Sequence, residues 1–120
     1  MHKIKILVVA VASLLSASTT VQSQSSSCQM LGLRFLRYVS VEPGAGVTLG
    51  PTTPWDAGPA NCANYTTAVI TESHPHFKAI HASALTALAT GNQVNAYVCG
   101  CFSGWGTTLP SVSSFTVYGQ

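Results

Sequence analysis

Charge is what this chain has least of. Five Lys and Arg face three Asp and Glu in 120 residues, 7% of the sequence. Lys3 and Lys5 stand at the N-terminus, and beyond residue 23 only Arg34, Arg37 and Lys78 remain against Glu42, Asp56 and Glu72. Three scattered cations build no basic face for a phosphate backbone or an anionic membrane, which excludes nucleic acid as the expected partner. Three scattered acids do not form the facing carboxylate pair of a glycosidase. Long apolar runs are also missing. The longest, Ile6 to Leu15, is interrupted by Ser13 and falls well short of the roughly 20 residues that cross a bilayer. No Cys-x-x-Cys pair, Gly-x-Ser-x-Gly elbow or internal repeat occurs, so redox, serine-hydrolase and solenoid readings lose their usual support.

The short apolar run has a different use. Lys3 and Lys5 precede it, and small residues follow, with Val21 and Ser23 at the −3/−1 spacing of signal cleavage. Residues 1–23 therefore read as a secretory signal peptide of bacterial type. Residues 24–29 read as a flexible lead-in rich in serine and glutamine. Residues 30–120 form one small domain, and the expected location is secreted, extracellular or periplasmic.

That compartment decides how the four cysteines are read. An even set of cysteines in a short exported chain is a disulfide framework. Cys99 and Cys101 flank a single glycine. In a strand, residues two apart lie about 6.6 Å apart with side chains in parallel, a poor geometry for bonding to each other. Each is expected to reach Cys28 or Cys62, with no metal site among them.

Periodicity predicts a mainly β domain with one helix. A first strand is expected over 30–43, with Leu31, Leu33 and Phe35 on one face and a parity shift beyond Phe35 that signals a bulge or burial on both sides. A glycine- and proline-rich stretch over 44–62 has room for one short strand at 47–49. Strands are expected at 65–73, 93–99 and 111–119. The helix is expected over 75–90, capped by Ser73 or His74 and closed by Gly91. Its buried face is expected to be Phe77, Ile80, Ala84, Leu85 and Leu88. The pattern fits an open α+β sandwich or a small oligonucleotide/oligosaccharide-binding (OB) type barrel.

Few residues can carry chemistry. His74, His76 and His81 cluster near the helix start, but their spacing does not put a metal-binding pair on one face. A small hydrolase would have to assemble from these histidines and Asp56, and the expectation is that the chain is not an enzyme. Aromatic residues in polar loops are the better signal. Trp105 and Tyr97 with Ser103 and Thr107, and Trp55 with Asp56, offer flat rings beside hydroxyls, on which a sugar can stack while its hydroxyls form hydrogen bonds. Against this stands the simpler reading that both tryptophans fill the core. Asn64-Tyr65-Thr66 is a glycosylation sequon, expected to be idle behind a bacterial leader.

The stretch Ala84 to Cys101, with Cys62 before it and Val112 to Tyr118 after it, resembles part of the B subunits of subtilase-cytotoxin and pertussis-like AB-type toxins. The match lies in Thr90-Gly91, Val94 and Gly100-Cys101. Where the subtilase-cytotoxin relative has a Tyr-Tyr pair, this chain has Tyr97-Val98, and the relative's first-strand serine has no counterpart near Leu31. The resemblance implies an OB-type barrel, a glycan ligand, a pentameric homo-oligomer and an enzymatic A subunit as partner. It also implies the pairings Cys62–Cys101 and Cys28–Cys99. The alternative is a protein-interaction or inhibitor domain that binds no sugar.

Overall fold

A computed structural model describes residues 27–119; the expected leader at 1–23 lies outside the described residues. In chain order the elements are β1 (Gln29–Met30), β2 (Leu36–Glu42), β3 (Gly46–Pro51), β4 (Ala68–Thr71), α1 (Phe77–Thr90), β5 (Gln93–Gly104) and β6 (Thr107–Tyr118). The six strands form one sheet in the order β1-β5-β6-β4-β3-β2. Every pairing is antiparallel except β4 with β6, which meet in parallel at Val69 and Ser111. The fold is mainly β with one helix among the described residues, which fills the β4-to-β5 connection.

As paired, the sheet is open, with β1 and β2 at its ends. Those ends belong to one run of chain. Between them Leu31 N–H donates to Ala96 O at 2.9 Å, and Arg34 exchanges backbone bonds with Val94 at 3.0 and 2.8 Å. At the β2 end, Thr52 N–H donates to Phe35 O at 2.9 Å.

The single strand expected over 30–43 is therefore two strands with an irregular link. Leu31 is fully buried, but Leu33 and Phe35 are 46% and 48% exposed, so their alternation does not mark a core face. Gly32 explains the break. It adopts φ +95°, and a Cβ there would lie 3.1 Å from the carboxyl carbon of Asp56; only glycine turns the backbone at this point without strain. Of the two readings of the parity shift, a bulge or burial on both sides, the structure has the bulge, as the register with β3 shifts between Leu36 and Tyr38. After it, Val39 packs against the core. The lead-in is shorter than expected as well. Cys28 is disulfide-bonded, and Gln29 opens β1 with its side chain buried. Its amide donates to Asp56 O at 2.8 Å, and its carbonyl accepts from Tyr65 Oη–H at 3.0 Å and from Ala60 N–H at 3.2 Å. One buried amide thus ties the 56–65 loop to the sheet.

The helix ends as expected. Gly91 takes the left-handed conformation at φ 71°, and its N–H donates to Ala87 O at 2.9 Å, the usual C-terminal stop. At the other end the cap position is His76, without a side-chain capping bond, so neither Ser73 nor His74 caps the helix as expected; His74 Nδ1 instead accepts from His76 N–H at 3.0 Å, just outside the helix. The ring's other nitrogen, Nε2, lies 2.8 Å from Ser113 O. The buried face differs from expectation. Ile80, Ala84 and Ala87 are buried and Phe77 packs against the core, while Leu85 and Leu88 are 46% and 36% exposed. Residues 77, 80, 84 and 87 lie on one row of the helix. Two alanines in that row bring the helix axis close to its neighbours and leave the leucines on its flank.

β5 and β6 extend well past the limits expected for either and form one long hairpin. The register shifts between Tyr97 and Val98, and again between Val98 and Gly100. Ser113 and Cys99 are thus extra residues on opposite strands. The bulge at Cys99 lies beside β1, where Gln29 pairs with Val98, and so Cys99 meets Cys28. Cys101 bonds to Cys62 from the loop before β4. Both pairings agree with those the resemblance implies. The core is filled by Leu31, Val47, Leu49, Ile70, Val94 and Val98, all fully buried, with Trp55 among them.

Candidate functional site

Strand periodicity builds one wall of the site. On β2, Val39 and Val41 alternate with Tyr38, Ser40 and Glu42, and their β3 partners do the same: Val47 and Leu49 are core, while Gly50 and Thr48 pair with Tyr38 and Ser40. Successive side chains point to opposite faces, so the 38-40-42 row stands on the face away from Val39, Val47 and Leu49, which pack in the core, while Val41 near the strand end is exposed. The row is locally ordered. Ser40 Oγ–H donates to Glu42 Oε2 at 2.6 Å, and Tyr38 Oη and Thr67 Oγ1 share a hydrogen bond of 2.9 Å.

The opposite wall is the tip of the β5–β6 hairpin. Trp105 and Gly106 form its two-residue turn with φ values of 53° and 74°, the two positive angles of a type I′ turn. Asn-Gly is the favoured sequence there, because a bulky residue at positive φ is strained. Trp105 is nevertheless 58% exposed, with its ring 5.8 Å from that of Phe102. A large aromatic in a strained turn and open to solvent is unusual for a purely structural residue.

The third wall is the loop before β4. Asn64 Oδ1 accepts from Thr66 N–H at 2.9 Å and from Thr66 Oγ1–H at 2.6 Å. The loop is held to the hairpin by Asn64 N–H to Thr108 O at 2.9 Å and Ala63 N–H to Thr108 Oγ1 at 2.8 Å. Together the walls enclose an open cavity of about 360 Å³ between Tyr38 and Trp105. Its floor includes Leu109 and Thr107 of β6, and Thr48 of β3. A second cavity of about 590 Å³ begins on the other side of Thr107, between Ser103, Gly104, Gly106 and Ala63. The two spaces share Thr107, so the hairpin tip fronts both.

The expected site residues are thus divided. Trp105 and Thr107 line the first cavity, and Ser103 and Thr107 line the second. Tyr97 lies in mid-β5 opposite Met30 and Ser114, 39% exposed and outside both cavities. Trp55 is 3% exposed and belongs to the core, so the reading in which it fills the interior holds for this tryptophan and a ligand-stacking role does not. Its indole N–H is buried without a hydrogen-bond partner among the described residues. Asp56 forms an ion pair with Arg34, and its backbone N–H donates to Leu31 O at 2.9 Å. That pair helps hold the link between β1 and β2. Tyr38, Ser40, Glu42, Asn64, Thr66 and Thr67 complete the cavity beyond the expected set; the sequence signal for the first three is the alternating polar row at 38, 40 and 42, and for Asn64 and Thr66 the sequon.

Among the described residues, no group of three or more His, Cys, Asp and Glu side chains is arranged to hold a metal ion, and no helix is long and apolar enough to cross a membrane. Comparison with known protein families, curated proteins and solved structures finds no match.

Proposed function

We propose that this protein is a secreted glycan-binding subunit and that sugar occupies the cavity between Tyr38 and Trp105. One observation carries the reading: an open space of about 360 Å³ lined by hydroxyl, amide and carboxylate groups between two aromatic side chains. Sugar-sized ligands need this mixture, with rings for their apolar faces and closely spaced polar groups to fix orientation. The reading is of binding and not of turnover. Among the described residues Glu42 is the one carboxylate lining the cavity, whereas glycoside hydrolysis uses a facing pair. Retention on a glycan array tests it. Wild-type protein is expected to be retained and Trp105→Ala to lose at least tenfold; a wild-type protein that binds no glycan removes the reading.

The same proposal places the sheet in an OB-type barrel, with β1 and β2 as parts of one bent strand that closes it. The backbone bonds of Leu31 and Arg34 to β5, and of Thr52 to Phe35, support closure. So do the helix between the third and fourth strands of such a barrel and the parallel β4–β6 pair. Export through the leader at 1–23 is supported by the two disulfides, which persist in oxidising compartments. A homo-oligomer, pentameric by resemblance, would multiply weak single-site affinity, and an enzymatic A subunit is its expected companion. Exposed Leu33, Phe35, Leu85 and Leu88 on a weakly charged chain support self-association. Light scattering at micromolar concentration is expected to give a mass several times that of one chain, and a monomer mass overturns the assembly.

A further inference from the structure

Among the described residues, Glu42 is the only charged side chain lining the cavity between Tyr38 and Trp105. A carboxylate only accepts hydrogen bonds, through about four lone-pair sites. Ser40 Oγ–H occupies one of them at 2.6 Å and so holds the group in place. That bond also commits the Ser40 proton, leaving the serine oxygen as an acceptor. Thr66 is in the same state, since its hydroxyl proton is given to Asn64 Oδ1 at 2.6 Å. Three groups of the lining, Glu42, Ser40 and Thr66, therefore ask for donors. The donors of the lining are the amide N–H groups of Asn64, whose oxygen already accepts two bonds from Thr66, with the hydroxyls of Thr48 and Thr107 and the indole N–H of Trp105. Arg37 lies 5.9 Å from the centre of the Tyr38 ring and is not among the residues that line the cavity.

We infer that the site selects uncharged glycans whose neighbouring hydroxyls donate to Glu42 and that it rejects sugars carrying carboxylate or sulfate. This rests on the glycan-binding reading and narrows it. A sugar hydroxyl can donate to the carboxylate and still accept from Asn64, so a pair of adjacent hydroxyls satisfies both sides of the cavity. An anionic group placed there would face a fixed carboxylate with no cation among the described residues of the lining, and two like charges held close together repel.

The test is an array of neutral oligosaccharides printed beside their sialylated and sulfated counterparts on the same cores, probed with wild-type protein and with Glu42→Gln. The amide keeps the shape of Glu42 and an oxygen for Ser40, and a thermal melt within a few degrees of wild type establishes that the variant is folded. Wild-type protein is expected to bind neutral members at least tenfold better than their anionic counterparts. Glu42→Gln is expected to lose at least fivefold on the neutral members and to narrow the difference between the two sets. A wild-type preference for anionic members, or an unchanged difference in Glu42→Gln, overturns the selection and leaves glycan binding standing. Absence of wild-type binding to every member overturns glycan binding itself, and the selection with it.

Discussion

The ring of Tyr38 lies directly over the Cα of Gly50, its partner across the β2–β3 pair: a Cβ on Gly50 would collide with Tyr38 Cε2. The aromatic wall of the cavity is thus set by the absence of a side chain on the neighbouring strand. Gly50→Ala should displace the ring and cost about 1–3 kcal/mol through overpacking. Chemical denaturation will measure that loss, and glycan retention should fall with it. An unchanged denaturation midpoint would show that the ring moves aside freely.

The two tryptophans should part company under mutation. Trp55 fills the core, and Trp55→Ala should cost about 3–5 kcal/mol, enough to deplete the folded protein. Trp105 occupies a type I′ turn position that favours asparagine. Trp105→Asn should therefore raise the melting temperature slightly while abolishing glycan retention. Thermal melts and array binding on both variants separate the roles, and a destabilised Trp105→Asn would mean that the ring contributes to the fold.

The helix gives the reverse of what hydrophobicity alone suggests. Leu88 is 36% exposed and Ala84 fully buried. Leu88→Asp should leave an isolated chain folded, with a change of about 0.5 kcal/mol or less, whereas Ala84→Leu should cost about 1–3 kcal/mol by overpacking the helix against its neighbours. Equal effects in urea denaturation would contradict this placement. If Leu88 lies in an interface between copies, Leu88→Asp will instead lower the mass seen by light scattering.

Reduction should unfold the domain. The two bonds close separations of 71 and 39 residues and each stabilises by about 2–4 kcal/mol, comparable to the whole stability of so small a domain. Circular dichroism with and without a thiol reductant will show it. A retained β-sheet spectrum after complete reduction would mean that the core suffices.

Much of the frame was legible in the residues themselves. Gly91 as the helix stop, the strand at 93–99 and the bulge after Phe35 follow from local backbone preferences and side-chain period, which act over a few residues. The single glycine between Cys99 and Cys101 was enough to direct each to a different partner, because the pleat sets their side chains in parallel. Other features depended on distant packing. Whether alanines or leucines of the helix are buried is a matter of where its axis sits, and Gly32 breaks a strand whose alternation otherwise looks regular. The cavity is the clearest case. Tyr38, Ser40 and Glu42 reach Trp105 and Thr107 only because β4 lies between β3 and β6 in the sheet. Local preference and side-chain period set the helix, most of the strands and the cysteines available for bonding. That a polar strand face, a sequon loop and a strained hairpin tip share one space came from tertiary packing, since strand order is a long-range property that no local preference encodes.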